Sequence, residues 1–321
     1  MTYLSYSGYK SYSQCPFEYW HKYVNKTRLD TPENGVNTLY GSTVGLVFEA
    51  FYRDKIWKYS NCVEQLEGLV EPYMNKAIQD QMKQGRVLDW SDEKANYKKP
   101  QDVAKDAKAA IPAGVETIRE NKFVGPFMEA EMKLDRKIGP HVIGGRSDFV
   151  IRRTRPLGDL IILDGKGSKH RGKYIDSKPK KEGEPLEGVQ LKWYSMLYRE
   201  NFGVIPDGLG YLFWRYSGKE AVEWVPFKES DLTYLKEEVL SVIDRIDRTS
   251  KTMALAMSPQ AKDELRQELF PAQAGRHCIL CAFAVVCEEG KKVMARQKRA
   301  KSSIPSGVTE LSLGSEDESF T

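Results

Sequence analysis

Apolar residues recur at helical spacing through the first 125 residues of the chain. Leu39, Val44, Val47, Phe48, Phe51, Tyr52 and Ile56 fall near three- and four-residue intervals, which predicts an amphipathic helix over 38–59. Residues 9–25 form an aromatic-rich amphipathic stretch, and 63–83 and 103–121 read as two more helices. The polar stretch 85–100 between them reads as a loop. The period changes at about Phe127. Residues 128–138 alternate apolar with charged positions, as a half-buried strand does, and 142–152 read as a second strand. Leu160-Ile161-Ile162-Leu163 is an unbroken apolar run inside 159–164 and predicts a buried central strand. Residues 167–185 are rich in Lys, Gly and Pro and read as a mobile basic loop. A helix follows over 186–201, then strands over 208–216 and 221–227 joined through Ser217-Gly218, and a charged amphipathic helix over 231–250. The order strand, strand, strand, helix, strand, strand, with helices at both ends, suits a mixed central sheet flanked by helices, in the α/β or α+β class.

Composition narrows the function. The chain has 321 residues, 40% of them hydrophobic and 11% aromatic, which excludes a mostly disordered protein. Lys plus Arg is 49 and Asp plus Glu is 45, a net charge of +4 that by itself does not imply nucleic acid. The longest apolar run, the ten residues Cys278 to Cys287, is shorter than the roughly 20 that cross a bilayer. The N-terminal residues MTYLSYSGYK lack the apolar core of a secretion signal, so a cytoplasmic protein of a prokaryotic or phage-infected cell is expected. In such a reducing setting the five cysteines are metal ligands, nucleophiles or core residues rather than a disulfide framework.

Two short segments carry candidate chemistry. Gly144-Gly145-Arg146-Ser147-Asp148 lies in the second strand, and Leu163-Asp164-Gly165-Lys166 ends the buried one. Asp-x-Lys spacing puts Asp164 and Lys166 on one side of an extended chain. Two carboxylates with an ammonium are what metal-assisted phosphodiester hydrolysis needs. The carboxylates suit Mg2+ or Mn2+, which activate water, and the lysine steadies developing charge. A turn aspartate and a chance Asp-x-Lys are the ordinary alternative.

In this order the motifs resemble the PD-(D/E)XK nuclease superfamily in its RecB-like branch. Gly145-x-x-Asp148 and Asp164-x-Lys166 resemble its catalytic strands, and Gln190-x-x-x-Tyr194 resembles the motif on the following helix. Ser5-x-Ser7 to Cys15-Pro16-x-x-Tyr19, and Gly41-x-x-Val44 to Glu49, resemble its N-terminal signatures. The family often has histidine four residues after that helix glycine; here the residue is Gly45. The resemblance implies a restriction-endonuclease-like fold. It also implies metal ligation by Asp148, Asp164 and the Gly165 carbonyl, with Glu49 as a further ligand, and catalysis by Lys166 assisted by Gln190 and Tyr194. The activity implied is an Mg2+- or Mn2+-dependent deoxyribonuclease, an exonuclease acting on DNA ends with single strands preferred, in recombination, repair or phage DNA processing. The alternatives are a weakened DNA-binding or scaffold subunit and a CRISPR-adaptation nuclease. The sequence has no Walker A pattern, so a helicase or recombination protein would be a separate partner.

Cys278-x-x-Cys281-x5-Cys287 is compact but lacks a local fourth ligand. Zinc through His277, an iron–sulfur cluster and plain core packing all remain open from spacing alone. The iron–sulfur subgroup of RecB-like nucleases has the same arrangement with one early cysteine, which implies a [4Fe–4S] cluster on Cys15, Cys278, Cys281 and Cys287. Cys62 matches nothing and reads as a free thiol. Basic residues cluster after Lys166, with Lys169, Arg171 and Lys173 as candidate DNA contacts beside Arg146. The expected organisation is a helical region over 1–125 that supplies one cluster cysteine, a nuclease core over 126–255, a cluster-binding region over 256–301 packed on the N-terminal helix, and a disordered acidic tail over 302–321.

Overall fold

The structure, a computed structural model, describes residues 2–27, 34–93, 95–168, 188–279 and 281–302. The basic stretch that holds Lys169, Arg171 and Lys173 lies outside these residues, as does the acidic end after 302. The chain divides into two compact units, Met1–Tyr9 with Asp30–Thr249, and Lys10–Leu29 with Ser250–Thr321.

The larger unit is built on a five-stranded sheet in the order β2 (Phe127–Lys133), β5 (Arg146–Arg152), β6 (Leu160–Lys166), β7 (Gly208–Phe213), β8 (Val222–Trp224). Only β6 and β7 run parallel, so the sheet is mixed, as the sequence predicts. Residues 160–163 are at most 1% exposed, because the strand is paired on both sides and covered on both faces. Pairs of residues on alternate positions explain the two faces. Phe149, Ile151, Ile161 and Leu163 join one core with Val44, Val47, Phe48 and Phe51 of α3 (Val36–Arg53). Helix α6 (Val189–Phe202) packs against β6 and β7 and buries Leu191, Trp193, Met196 and Leu197. Helices α4 (Cys62–Lys83) and α5 (Pro100–Glu120) complete the α3 side, with Leu66, Val70, Ile111 and Ile118 at 0% exposure. Burial of this order contributes about 25 cal/mol per Å² of apolar surface removed from water.

A small sheet of β1 (Tyr3–Ser5), β4 (His141–Gly144) and β3 (Arg136–Ile138) stands apart in pairing. It accounts for two departures from the alternation pattern. The expected strand 128–138 divides into β2 and β3, and the expected strand 142–152 divides at Gly145, where the chain leaves the small sheet for the large one. The Trp193 indole donates to the Gly144 carbonyl at 3.1 Å and pins this junction.

The aromatic stretch 9–25 is not one helix. α1 (Tyr6–Gln14) stops at Cys15, α2 (Pro16–Tyr19) restarts with Pro16 in its first turn, and Trp20–Val24 form a single wider turn. Cys15 is extended, at φ −161° and ψ 102°, as a residue before proline prefers. Tyr9 and Tyr12, three residues apart on α1, are both buried. The smaller unit includes the helices Pro259–Leu269 and Glu288–Ser302. Among the described residues no helix is long and apolar enough to cross a membrane.

Candidate active site

Asp148 and Asp164 meet because β5 and β6 are antiparallel neighbours paired from Phe149↔Leu163 onward, so the residue before one faces the residue after the other. The Gly165 amide, on the same strand as Asp164, donates to Asp148 Oδ2 at 2.8 Å. Two residues along β6 from Asp164, the Lys166 ammonium returns to the same side and ion-pairs with Asp164 Oδ2. Gln190, in the first turn of α6, joins the pair. Its Nε2 donates to Asp164 Oδ1 at 2.9 Å and its Oε1 accepts from Lys166 Nζ at 3.1 Å. One turn on, the Tyr194 hydroxyl accepts from Gln190 Nε2 at 3.3 Å. The Lys192 ammonium, 4% exposed, pairs with Asp231 at 2.9 Å and holds α6 in place from behind.

The electrostatics follow from burial. Asp164 is 1% exposed, and loss of solvation raises its pKa above the ordinary carboxylate value, with Lys166 pulling it back. Burial raises the Asp148 pKa further, the Asp164 charge adds to that, and the Gly165 N–H and Lys166 oppose it. Tyr194 is raised by burial and by Asp164, and Tyr6 is pushed up to about 12 for the same two reasons. One ammonium thus faces two carboxylates in a largely buried site. A hard divalent cation with oxygen donors relieves that excess of negative charge, so the residues fit such an ion. Among the described residues, no three His, Cys, Asp or Glu side chains are gathered for metal binding, so the carboxylate pair needs backbone or water oxygens to complete a shell.

Glu131 escaped the sequence reading. In β2 the register passes from Ala130↔Phe149 to Met132↔Ser147, so Glu131 stands across from Asp148. Burial raises its pKa, Arg146 opposes this, and the charges of Glu49 and Asp164 raise it again. Its backbone has φ 55°, a left-handed conformation uncommon for a residue with a side chain. In the sequence it is one of three charged residues at alternate positions, Glu129, Glu131 and Lys133, which read as a solvated face.

Other predicted positions fall as follows. Glu49 on α3 is bonded to Arg53 at 2.9 Å rather than to the aspartate pair, though its charge reaches Glu131. Gly45, one turn earlier, has nothing within 4 Å of where a Cβ would lie. Arg146 is exposed and pairs with Glu131 at 3.3 Å.

All four cysteines of the predicted cluster lie in the smaller unit. Cys15, Cys287, Phe17 and Phe283 form one buried group with Cys281 packed against it, and Cys278 is 5% exposed. The Gln273 amide points at Cys15 Sγ at 3.5 Å and the Gly290 amide at Cys287 Sγ at 3.4 Å. The Cys281 thiol is pushed up to about 11, chiefly by burial, with Cys15 and Cys278 contributing. Among the described residues, these thiols are not gathered into a ligand set for a metal centre. Cys62 belongs to the other unit, fully buried, where it accepts from Arg119 at 3.2 Å.

Residues 3–288 match the profile of the PD-(D/E)XK nuclease superfamily. Among curated proteins no relative matches the chain. Solved structures include a protein of Eubacterium rectale described as a "Putative exonuclease", 16% identical with a TM-score of 0.44, over 78% of this chain and 82% of that one. The protein SSO0001 is 15% identical with a TM-score of 0.27, over 85% of this chain and 92% of that one. VC1899 of Vibrio cholerae is 12% identical with a TM-score of 0.21, over 72% and 50%.

Proposed function

Because this chain belongs to the PD-(D/E)XK nuclease superfamily, we propose that it hydrolyses DNA phosphodiester bonds at the Asp148, Asp164 and Lys166 site, as an Mg2+- or Mn2+-dependent exonuclease of the RecB-like branch. The network in which Gln190 bridges Asp164 and Lys166 carries this reading. A plain buried ion pair needs no third residue gripping both partners, nor a second carboxylate, Asp148, whose charge repels Asp164.

A divalent cation, when bound, supplies an activated water and stabilises charge on the phosphoryl oxygens. Asp148, Asp164 and the Gly165 carbonyl would hold it, with Glu131, whose charge acts on Asp148, and Glu49, whose charge acts on Glu131, as further carboxylates. Lys166 keeps its ammonium at the carboxylate pair, where it orients the attacking water and offsets negative charge that grows in the transition state. Gln190 fixes the lysine's direction and keeps one oxygen of Asp164 from rotating. Tyr194 braces Gln190 from one helical turn away. Arg146, exposed at the start of β5, is suited to a DNA phosphate once it leaves Glu131.

The deciding assay uses DNA labelled at either end, single- and double-stranded, with Mg2+ and with Mn2+, comparing wild type with Asp164→Asn. Stepwise shortening from an end by wild type alone supports the proposal. No cleavage of any substrate supports the rival reading, a DNA-binding scaffold, which Gly45 in the place of a histidine favours.

We further propose that Cys15, Cys278, Cys281 and Cys287 hold a [4Fe–4S] centre with a structural role, a reading that rests on the spacing of their motif and on their place in one unit. Protein purified without oxygen should hold about four irons per chain. Cys281→Ser should lose them and Cys62→Ser should keep them. About one zinc and no iron would overturn this assignment and leave the nuclease reading standing.

A further inference from the structure

Lys166 lies between two glycines, Gly165 and Gly167, at the end of β6. Glycine has the widest backbone freedom of any residue, so this is a poor local context for a lysine whose direction matters. The glycines are there because neighbours press close. A Cβ on Gly165 would fall 2.8 Å from the Trp214 ring, and one on Gly167 would fall 2.8 Å from the Gly41 Cα. Rigidity therefore has to come from outside the strand.

We propose that Trp214 and Arg215, directly after β7, are positioning residues that clamp the Gly165-Lys166-Gly167 backbone to α3 and thereby aim the Lys166 side chain. The proposal rests on the reading of Lys166 as the catalytic lysine. The Trp214 amide donates to the Lys166 carbonyl at 3.1 Å, and Arg215 Nε donates to the Gly167 carbonyl at 3.0 Å. Both side chains then anchor on α3. The Trp214 ring stacks on Phe48 at 4.1 Å with 2° between the planes. The Arg215 guanidinium lies 3.6 Å from the centre of the Tyr40 ring. Its remaining donors reach Asp106 at 3.2 Å on α5 and the Tyr97 hydroxyl, which itself donates to Asp106 at 3.0 Å. One planar cation thus ties α3, α5 and the loop before it to the residue that follows the lysine. Lysine in place of arginine would keep the charge and lose both the fork and the stacking plane. Arg215 touches no group of the aspartate pair, so it acts only through the backbone.

The test compares wild type, Arg215→Ala and Arg215→Lys as full chains. Steady-state cleavage of a labelled oligonucleotide is read together with amide hydrogen exchange over 165–168 and over β5. Arg215→Ala should lower kcat by about 10- to 100-fold, the range expected when a reacting group is displaced by about 1 Å, and leave KM within about 2-fold. Exchange over 165–168 should accelerate about 10-fold while β5 stays protected, and Arg215→Lys should rescue neither. If Arg215→Ala does not fold, Asp106→Asn loosens the same guanidinium and should move both readouts in the same direction. Unchanged exchange over 165–168 would overturn the clamp, as would a rise in KM with kcat intact. Wild-type protein without cleavage activity, but with exchange still controlled by Arg215, would overturn the nuclease reading instead.

Discussion

Asp148 Oδ2 accepts the Gly165 amide at 2.8 Å, so one oxygen of the first aspartate is committed to the strand that carries the second. The bond holds two like charges side by side that would otherwise separate. Asp148→Asn keeps an oxygen for that amide and removes one charge. Cleavage should fall by at least about 10²-fold, the scale of losing one electrostatic group at a transition state. The thermal midpoint should stay level or rise, because the repulsion with Asp164 is gone. Calorimetry beside the cleavage assay checks both, and a variant that melts earlier and still cuts DNA would refute the assignment.

Gln190 should matter through orientation alone. Gln190→Ala leaves both partners of the ion pair in place and removes the bridge between them. We expect kcat to drop about 10-fold or more with DNA affinity unchanged. Fluorescence anisotropy on labelled single strands, run with calcium to block turnover, measures the affinity.

Gly45→His should be accepted by the fold. A Cβ there meets no atom within 4 Å, and histidine is the better helix former by a few tenths of a kcal/mol. Placed one turn before Glu49, the imidazole should tighten Mn2+ binding about 10-fold by isothermal titration. Equal affinity in both proteins would mean that this face of α3 does not look onto the metal.

His21 gives the smaller unit an acid-sensitive element. Its ring stacks on Phe283 at 5.1 Å, and its pKa is lowered to about 4, first by burial and then by Arg266. The unfolded chain takes up this proton near pH 6.5, the folded chain only near 4. The stability held by the neutral ring is therefore complete above about pH 6.5 and is lost progressively as pH falls toward 4. Melting curves across that window should decline more steeply for wild type than for His21→Phe. Parallel curves would show that the ring is protonated in the native protein.

The parts of the site that the sequence discloses are those set by short-range rules. Asp164 and Lys166 follow from period-two alternation at the end of an apolar run, whereas Gln190 and Tyr194 enter only through the resemblance to the nuclease motif, because their spacing alone fits any amphipathic helix. Glu131 was hidden because alternation marks it as solvent-facing, and no local signal reveals a left-handed residue opposite Asp148. The Arg215 clamp was hidden for another reason: its partners Tyr40, Tyr97, Asp106 and Gly167 come from four places along the chain. The break at Cys15 was legible in Pro16 but was masked by a continuous aromatic stripe.

The left-handed backbone at Glu131 sets two selective demands against each other. A side chain in that conformation costs about 1–2 kcal/mol relative to glycine. A library at position 131 sorted for heat resistance should therefore enrich glycine and asparagine, whereas the same library sorted for DNA cleavage should return glutamate. Divergence between the two winners would mark this as a residue retained at the expense of the fold. Convergence on glycine would mark it as an ordinary turn in a strand.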